Sequence, residues 1–371
     1  GVTLPPDLGL ARARLIAMSR PDDTSAIVAA IDALGESLAA TNTPAGTAPD
    51  PRRLNDARLA ATVAIATTLA SLPDATPLLS LLAEVSQRGE SSPELLYEWY
   101  RLTFVRGDLD DCLRLVNGVR EPAQLLAAIA ERTGGEIDVP DDPAHERATI
   151  GYALASSAHA LSRYDIAEPL YRHTLTLLPG HPWTCNNLGY MLLEQERDLA
   201  EAERLITIAY ETLNEEASVI DSLAWVRYKR GHVLDYTNEN GNDVEGALTL
   251  LERAMQFGGV GDDTIVDHLG DALWRADRTI EARRAWSEAR LYLQSQLDSI
   301  ERDAALQRAD NRAPRGPAPA ADVESPMILK LRRELSNVTR KLDALDQGLQ
   351  PPIAPFAPGV PDPLRVPPAN P

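Results

Sequence analysis

Small and bulky residues recur at fixed offsets along the middle of this chain. In residues 186 to 209, "NNLGYMLLEQERDLAEAERLITIA", Leu188-Gly189 is followed by Ala202, Ile206 and Ala209. Leu154-Ala155 leads in the same order to Ala167, Tyr171 and Thr174, then Pro179. Leu223-Ala224 leads to Ala247, Leu251 and Ala254, and Leu269-Gly270 to Ala282, Trp286 and Ala289. The offsets are 13, 17 and 20 in the first and last units, and Leu154 lies 34 residues before Leu188. Helix packing explains the order. Two antiparallel helices approach closely only if each puts a small residue at the crossing, and a bulky residue four positions on fills the hole between neighbouring pairs. Asp165 with Glu168, and Asp198 with Glu201, have capping-box spacing at the start of a second helix.

This order resembles the tetratricopeptide repeat, whose period is 34 residues. Four such repeats span the chain from about residue 148 to 295, with two departures. Thr174 stands where the second Ala belongs, and the third repeat carries an insertion of about eleven residues in "GHVLDYTNENGNDVEG". The resemblance implies an all-α fold, a right-handed α-solenoid of antiparallel helix pairs. The first helix of each pair then lines the concave side. Its exposed positions are Tyr152, Ser156 and His159 in repeat one, and Asn186, Tyr190, Leu193 and Glu194 in repeat two. Repeat three offers Asp221, Trp225, Tyr228 and Lys229; repeat four offers Asp267, Asp271, Trp274 and Arg275. Trp, Tyr and Arg dominate binding hot spots. The plainer alternative is that Trp225 and Trp274 fill space between pairs and that Asn186 is only solvated.

A fainter unit precedes these in "LLYEWYRLTFVRGDLDDCLRL", with Cys112 at the small-residue position. Residues 6–40, 53–88 and 121–134 also read as amphipathic helix, with turn material at 41–51 and 134–143. The expected organisation is a degenerate helical array over 1–143 and a repeat domain of about four units over 144–310. A flexible linker over 311–325, a heptad helix over 326–348 and a Pro-rich tail over 349–371 follow. Ser325-Pro326 has the form of a helix start. From there Ile328, Leu331, Leu335, Val338, Leu342 and Leu345 alternate by three and four. That seam suits either a helix folding back on the array or a homodimer through 328–345. The tail has nine prolines in residues 351 to 371 and is expected to be extended, burying little.

Composition narrows the function. The net charge is -19, and a field of that sign repels phosphate backbones, so no nucleic-acid partner is expected. Only three of the 36 basic residues are lysines (Lys229, Lys330 and Lys341), the usage of a GC-rich bacterial genome. The most apolar stretch, 59–83, contains Pro73 and Asp74, so no membrane span is expected. Cys112 and Cys185 form no disulfide framework or zinc spacing, and the six histidines have no metal pairing. "NENGND" lacks the first and last ligands of a calcium loop, because Tyr236 and Ala247 hold those positions. No Walker loop, GxSxG, HExxH or dinucleotide fingerprint occurs. The expectation is a non-enzymatic scaffold or adaptor, without cofactor or metal, that binds a protein or peptide partner. The alternative is an accessory region of a larger enzyme. The resemblance to bacterial tetratricopeptide proteins, some of them lipoproteins, leaves a periplasmic or envelope-associated place and a cytoplasmic one both open.

Overall fold

The computed structural model describes residues 5–41, 47, 48, 50–134, 142–310 and 326–362, with side chains omitted at 303–310, 326 and 327. The expected linker 311–325, its terminal Ser325 and tail residues 363–371 lie outside the described residues. So do parts of the two turn segments. Among the described residues there are sixteen α-helices and one two-stranded ladder, in two compact units, Gly1–His181 and Pro182–Pro371.

The N-terminal unit holds α1 (Pro6–Ser19), α2 (Thr24–Ala40), α3 (Pro51–Leu69), α4 (Thr76–Gln87), α5 (Pro93–Arg106), α6 (Leu109–Gly118), α7 (Pro122–Thr133), α8 (Pro143–Ala160) and α9 (Tyr164–Leu177). Six of these nine begin with a proline in their first two positions, where its missing N–H costs nothing. Cys112 is buried on α6 and Cys185 on the first helix of the other unit. Burial, with Asp111 adding to it, pushes the Cys112 thiol up to about 12; burial pushes Cys185 up to about 11. Both are packing residues.

The C-terminal unit holds α10 (Pro182–Glu194), α11 (Leu199–Thr212), α12 (Ala217–Lys229), β1 (Tyr236–Thr237), β2 (Asp243–Val244), α13 (Ala247–Ala254), α14 (Asp263–Arg275), α15 (Thr279–Asp310) and α16 (Pro326–Asp346). The four repeats are the pairs α8–α9, α10–α11, α12–α13 and α14–α15. All twelve second-helix positions singled out by spacing, from Ala167 to Ala289, are 0% exposed. The close approach is literal. A Cβ built on Gly189 would lie 2.7 Å from Ile206 Cγ1, and one on Gly270 would lie 2.4 Å from Trp286 Nε1.

Repeat one meets its Thr174 differently. The Thr174 hydroxyl donates to Leu170 O at 2.9 Å, and the room it needs comes from Gly151, where a Cβ would lie 2.5 Å from Thr174 Oγ1. Between the two helices of each pair, the residue eight positions after the reference Leu is left-handed: Ser162, Glu196, Gly231 and Asp277. Gly107, eight after Trp99 on α5, does the same in the fainter unit. Only two of these five are glycine, so a search for glycine misses the turn.

Asp198 caps α11 by accepting from Glu201 N at 3.0 Å. Asp165 caps nothing. The helix starts one residue before it, and its carboxylate takes Arg163 at 3.2 Å instead. The insertion in repeat three is a hairpin, with Tyr236 opposite Val244 and Thr237 opposite Asp243. Its base is tied down by Ala247 N to His232 O and Leu248 N to Val233 O. The Asn238 side chain accepts from the amides of Asn240 and Asn242, so it serves its own turn.

Two expectations about the C-terminal end resolve differently. The heptad helix folds back: α16 packs on α15 of its own chain and buries Leu331, Val338 and Leu342. The tail does not lie free. Pro351, Phe356 and Ala357 are buried, because 351–362 is laid along α12 and α14.

Candidate protein-interaction face

The sequence-derived site residues lie in two places. Tyr152 and His159 are half-buried on α8 in the N-terminal unit. Tyr152 sits 5.6 Å from the His181 ring, and His159 Nδ1 meets Tyr171 Oη at 3.5 Å. The other nine are in the C-terminal unit, on α10, α12 and α14. Most are less exposed than the repeat pattern implies. Asn186, Asp221, Tyr228, Lys229 and Asp271 are buried, while Tyr190, Trp225, Trp274 and Arg275 are intermediate. On α12 and α14 the reason is the cover laid over the face by α16 and residues 351–362.

On α12 and α14 the side chains build a layered aromatic slab. Trp225 stacks on Tyr228 at 4.6 Å between centroids and on His268 at 3.6 Å. Spacing of three on one helix puts Trp225 and Tyr228 on the same side. Asp221, one turn earlier, takes His268 Nδ1 at 2.8 Å. Burial alone would push the His268 imidazole down, but the Asp221 carboxylate overrides it and the net shift is upward. Burial, with Asp221 next, pushes the Tyr190 phenol well up, so it remains a neutral hydroxyl. Trp274 stands 6.1 Å from Trp286, which agrees with a space-filling part for this Trp.

Beside the slab lies a charged cluster. Lys341 of α16 donates to Asp267 Oδ1 at 2.7 Å and Asp271 Oδ1 at 2.6 Å. Trp286 Nε1 donates to the same Asp271 oxygen at 3.1 Å. Burial works against the Lys341 ammonium, but Asp271 and Asp267 win and hold its pKa above the ordinary value. Lys229 donates to Glu196 at 2.8 Å. Two of the chain's three lysines therefore serve this one face.

Residues 351–362 lie on top. Ala354 N donates to Asp271 Oδ2 at 2.8 Å, and Ala354 O accepts from Tyr228 Oη at 2.7 Å and Arg275 Nη2 at 3.0 Å. Pro355 O accepts from Lys229 Nζ at 3.2 Å, and Ala357 N donates to Lys229 O at 2.8 Å. The Arg275 guanidinium lies 3.8 Å from the Phe356 ring centre and forks onto Asp362 at 2.7 and 3.1 Å. Burial, with Asp271 next, pushes the Tyr228 phenol far up, so its hydroxyl stays a donor while it accepts from Arg275 Nε. Among the described residues no group of three or more His, Cys, Asp and Glu could hold a metal ion.

Sequence reasoning singled out the residues on α12 and α14, left α16 as either a fold-back helix or a dimer seam, and missed residues 351–362 as cover. Besides the seam itself, Lys341 carried a hint, as a lysine in an arginine-rich chain.

The helix pairs, with these small-residue crossings and left-handed turns, have the arrangement of tetratricopeptide repeats. A curated relative agrees: a TPR repeat-containing protein of Pseudomonas aeruginosa is 30% identical over 114 residues, 30% of this chain. The match spans 17% of that relative's length. No family model matches the chain. Among solved structures, MamA residues 41 to end from Desulfovibrio magneticus is 17% identical over 54% of this chain and 97% of its own, with a TM-score of 0.34. Yeast Tom70 is 14% identical over 88% of this chain and 62% of its own, also at 0.34. At such scores the fold assignment rests on the chain's own helix pairs.

Proposed function

We propose that this chain is a non-catalytic scaffold, and that the face built by α10, α12 and α14 takes a partner protein or peptide. The observation that carries the reading is the way residues 351–362 lie there. A backbone outside helix and strand is held through its own N–H and C=O groups, an aromatic side chain is clamped, and a carboxylate is forked by Arg275. Those are the elements of peptide recognition: main-chain bonds for affinity and side-chain sites for selectivity. The Trp225–Tyr228 slab and Arg275 are the residue types that make hot spots.

The test is a partner recovered with the full chain, purified and re-measured against variants. Trp225→Ala and Arg275→Ala should each weaken it by about thirtyfold, the loss expected of a hot spot. The far-ultraviolet helical signal should stay at the parent's level. A partner indifferent to both changes would place the site elsewhere.

A further inference from the structure

Residues 351–362 differ from ordinary core material in what holds them. The segment has no helix or strand and only three buried residues, yet its backbone at Ala354, Pro355 and Ala357 makes five hydrogen bonds to side chains and backbone of α12 and α14. The ion pair that joins the segment to its groove is buried: the Arg275 side chain is 4% exposed and that of Asp362 8%. Asp271 Oδ1 keeps Lys341 and Trp286 when the segment leaves, whereas Asp271 Oδ2 and the Arg275 fork become open to another occupant. Prolines at 351, 352, 355, 358 and 361 restrict the segment, which turns at 358–360, and reduce the entropy lost when it is ordered.

We infer that residues 351–362 are a ligand held in cis. The same groove takes in trans a proline-rich, non-helical peptide with an aromatic residue and, beyond a turn and six positions further on, a carboxylate. This rests on the proposed partner-binding face and names its ligand class. The backbone bonds accept any sequence, whereas Phe356 under Arg275 and Asp362 on its fork set the choice. Gly231 adds a size limit at one point, because a Cβ there would lie 2.9 Å from Val360 Cγ1. A tethered segment acts at an effective concentration near the millimolar range, so a trans peptide must either bind tightly or meet a chain whose segment has been released.

The experiment uses three full-length chains: the parent, a release variant carrying Phe356→Ala with Asp362→Asn, and the release variant with Arg275→Lys added. Each is titrated with a fluorescein-labelled peptide of residues 350–362, followed by anisotropy. The release variant should bind the peptide at least about tenfold more tightly than the parent. Arg275→Lys keeps the charge but loses the fork and should give back about tenfold. The same peptide with Asp362→Asn should bind the release variant about tenfold more weakly, a comparison free of folding effects. Equal binding by parent and release variant, or a helical release variant that takes no peptide, overturns the inference. Exclusion by the parent that fades on dilution would put the segment on a second copy and overturn the cis assignment. A release variant that takes the peptide but shows no change toward any purified partner supports this inference and sinks the proposed function alone. Gain of a partner without gain of the peptide does the reverse.

Discussion

The pairs α8–α9 and α14–α15 solve one packing problem in two ways. In α14–α15 the bulk is Trp286, and Gly270, directly after the reference Leu269, makes the hole for it. In α8–α9 the bulk at the crossing is Thr174, and the hole has moved back to Gly151, three residues before the reference Leu154. The small residue follows the large one, so a repeat signature records compensated pairs rather than fixed positions. The faces of these helices differ as well. That of α14 carries Asp267, Asp271 and Arg275 under a cover of α16 and 351–362. On α8, Tyr152 and His159 have aromatic rings as neighbours.

The largest effect should come from the covered face. Lys341→Met removes the cation from two carboxylates and should cost about 4 kcal/mol in a denaturant melt, because a buried charge left unpaired is expensive. A loss below about 1 kcal/mol, the worth of an exposed pair, would mean water already reaches the cluster. Next comes Gly270→Leu, which must push Trp286 aside and should cost about 3 kcal/mol. A parent-like melt for that variant would remove Gly270 from the crossing.

The two units should also part company with pH. His181, in the N-terminal unit, is brought down from 6.5 to about 4 by burial, with His145 beside it. A depressed histidine stabilises the fold while neutral. Its contribution is full above 6.5 and falls as the pH drops from there toward about 4. His268 is raised by Asp221 against its burial, so its contribution is full below 6.5 and is lost as the pH climbs through the raised value. Melts of His181→Gln and His268→Gln against the parent should therefore differ from it in opposite pH windows. Two variants with the same pH profile would contradict the assignment.

The smallest effect is the sharpest on the comparison. Gly151→Ala should destabilise the parent by about 1 kcal/mol through Thr174, whereas in a Thr174→Ala background the same change should stabilise by about 1 kcal/mol from helix propensity. Additive effects would show that the two residues do not compensate.

Much of this was legible beforehand. Offsets of 13, 17 and 20 in two units, one residue longer in the second and lengthened by the insertion in the third, located twelve fully buried positions, because close helix crossings constrain residue size directly. The seam at 328–345 showed that α16 exists, but an alternating seam does not say which helix it faces. Gly151 was not read because the pattern looked for a small residue after Leu154 only. The left-handed turns at Ser162, Glu196 and Asp277 were hidden by their non-glycine identity. The tail misled most. Proline density keeps the segment out of helix and strand, yet says nothing of whether its backbone is bound, and the decisive contacts join Asp362 and Ala354 to residues about eighty positions away.

Hydrogen exchange at the backbone amides of Ala354 and Ala357 in the full chain bears most directly on the bound tail. Both donate to partners on α14 and α12, Asp271 and Lys229. They should exchange at least about a hundredfold more slowly than an unstructured peptide, and should lose that protection in the Phe356→Ala, Asp362→Asn chain. Exchange at the unstructured rate in the parent would mean that the segment is not held on the face, and the account of a self-occupied groove would fall.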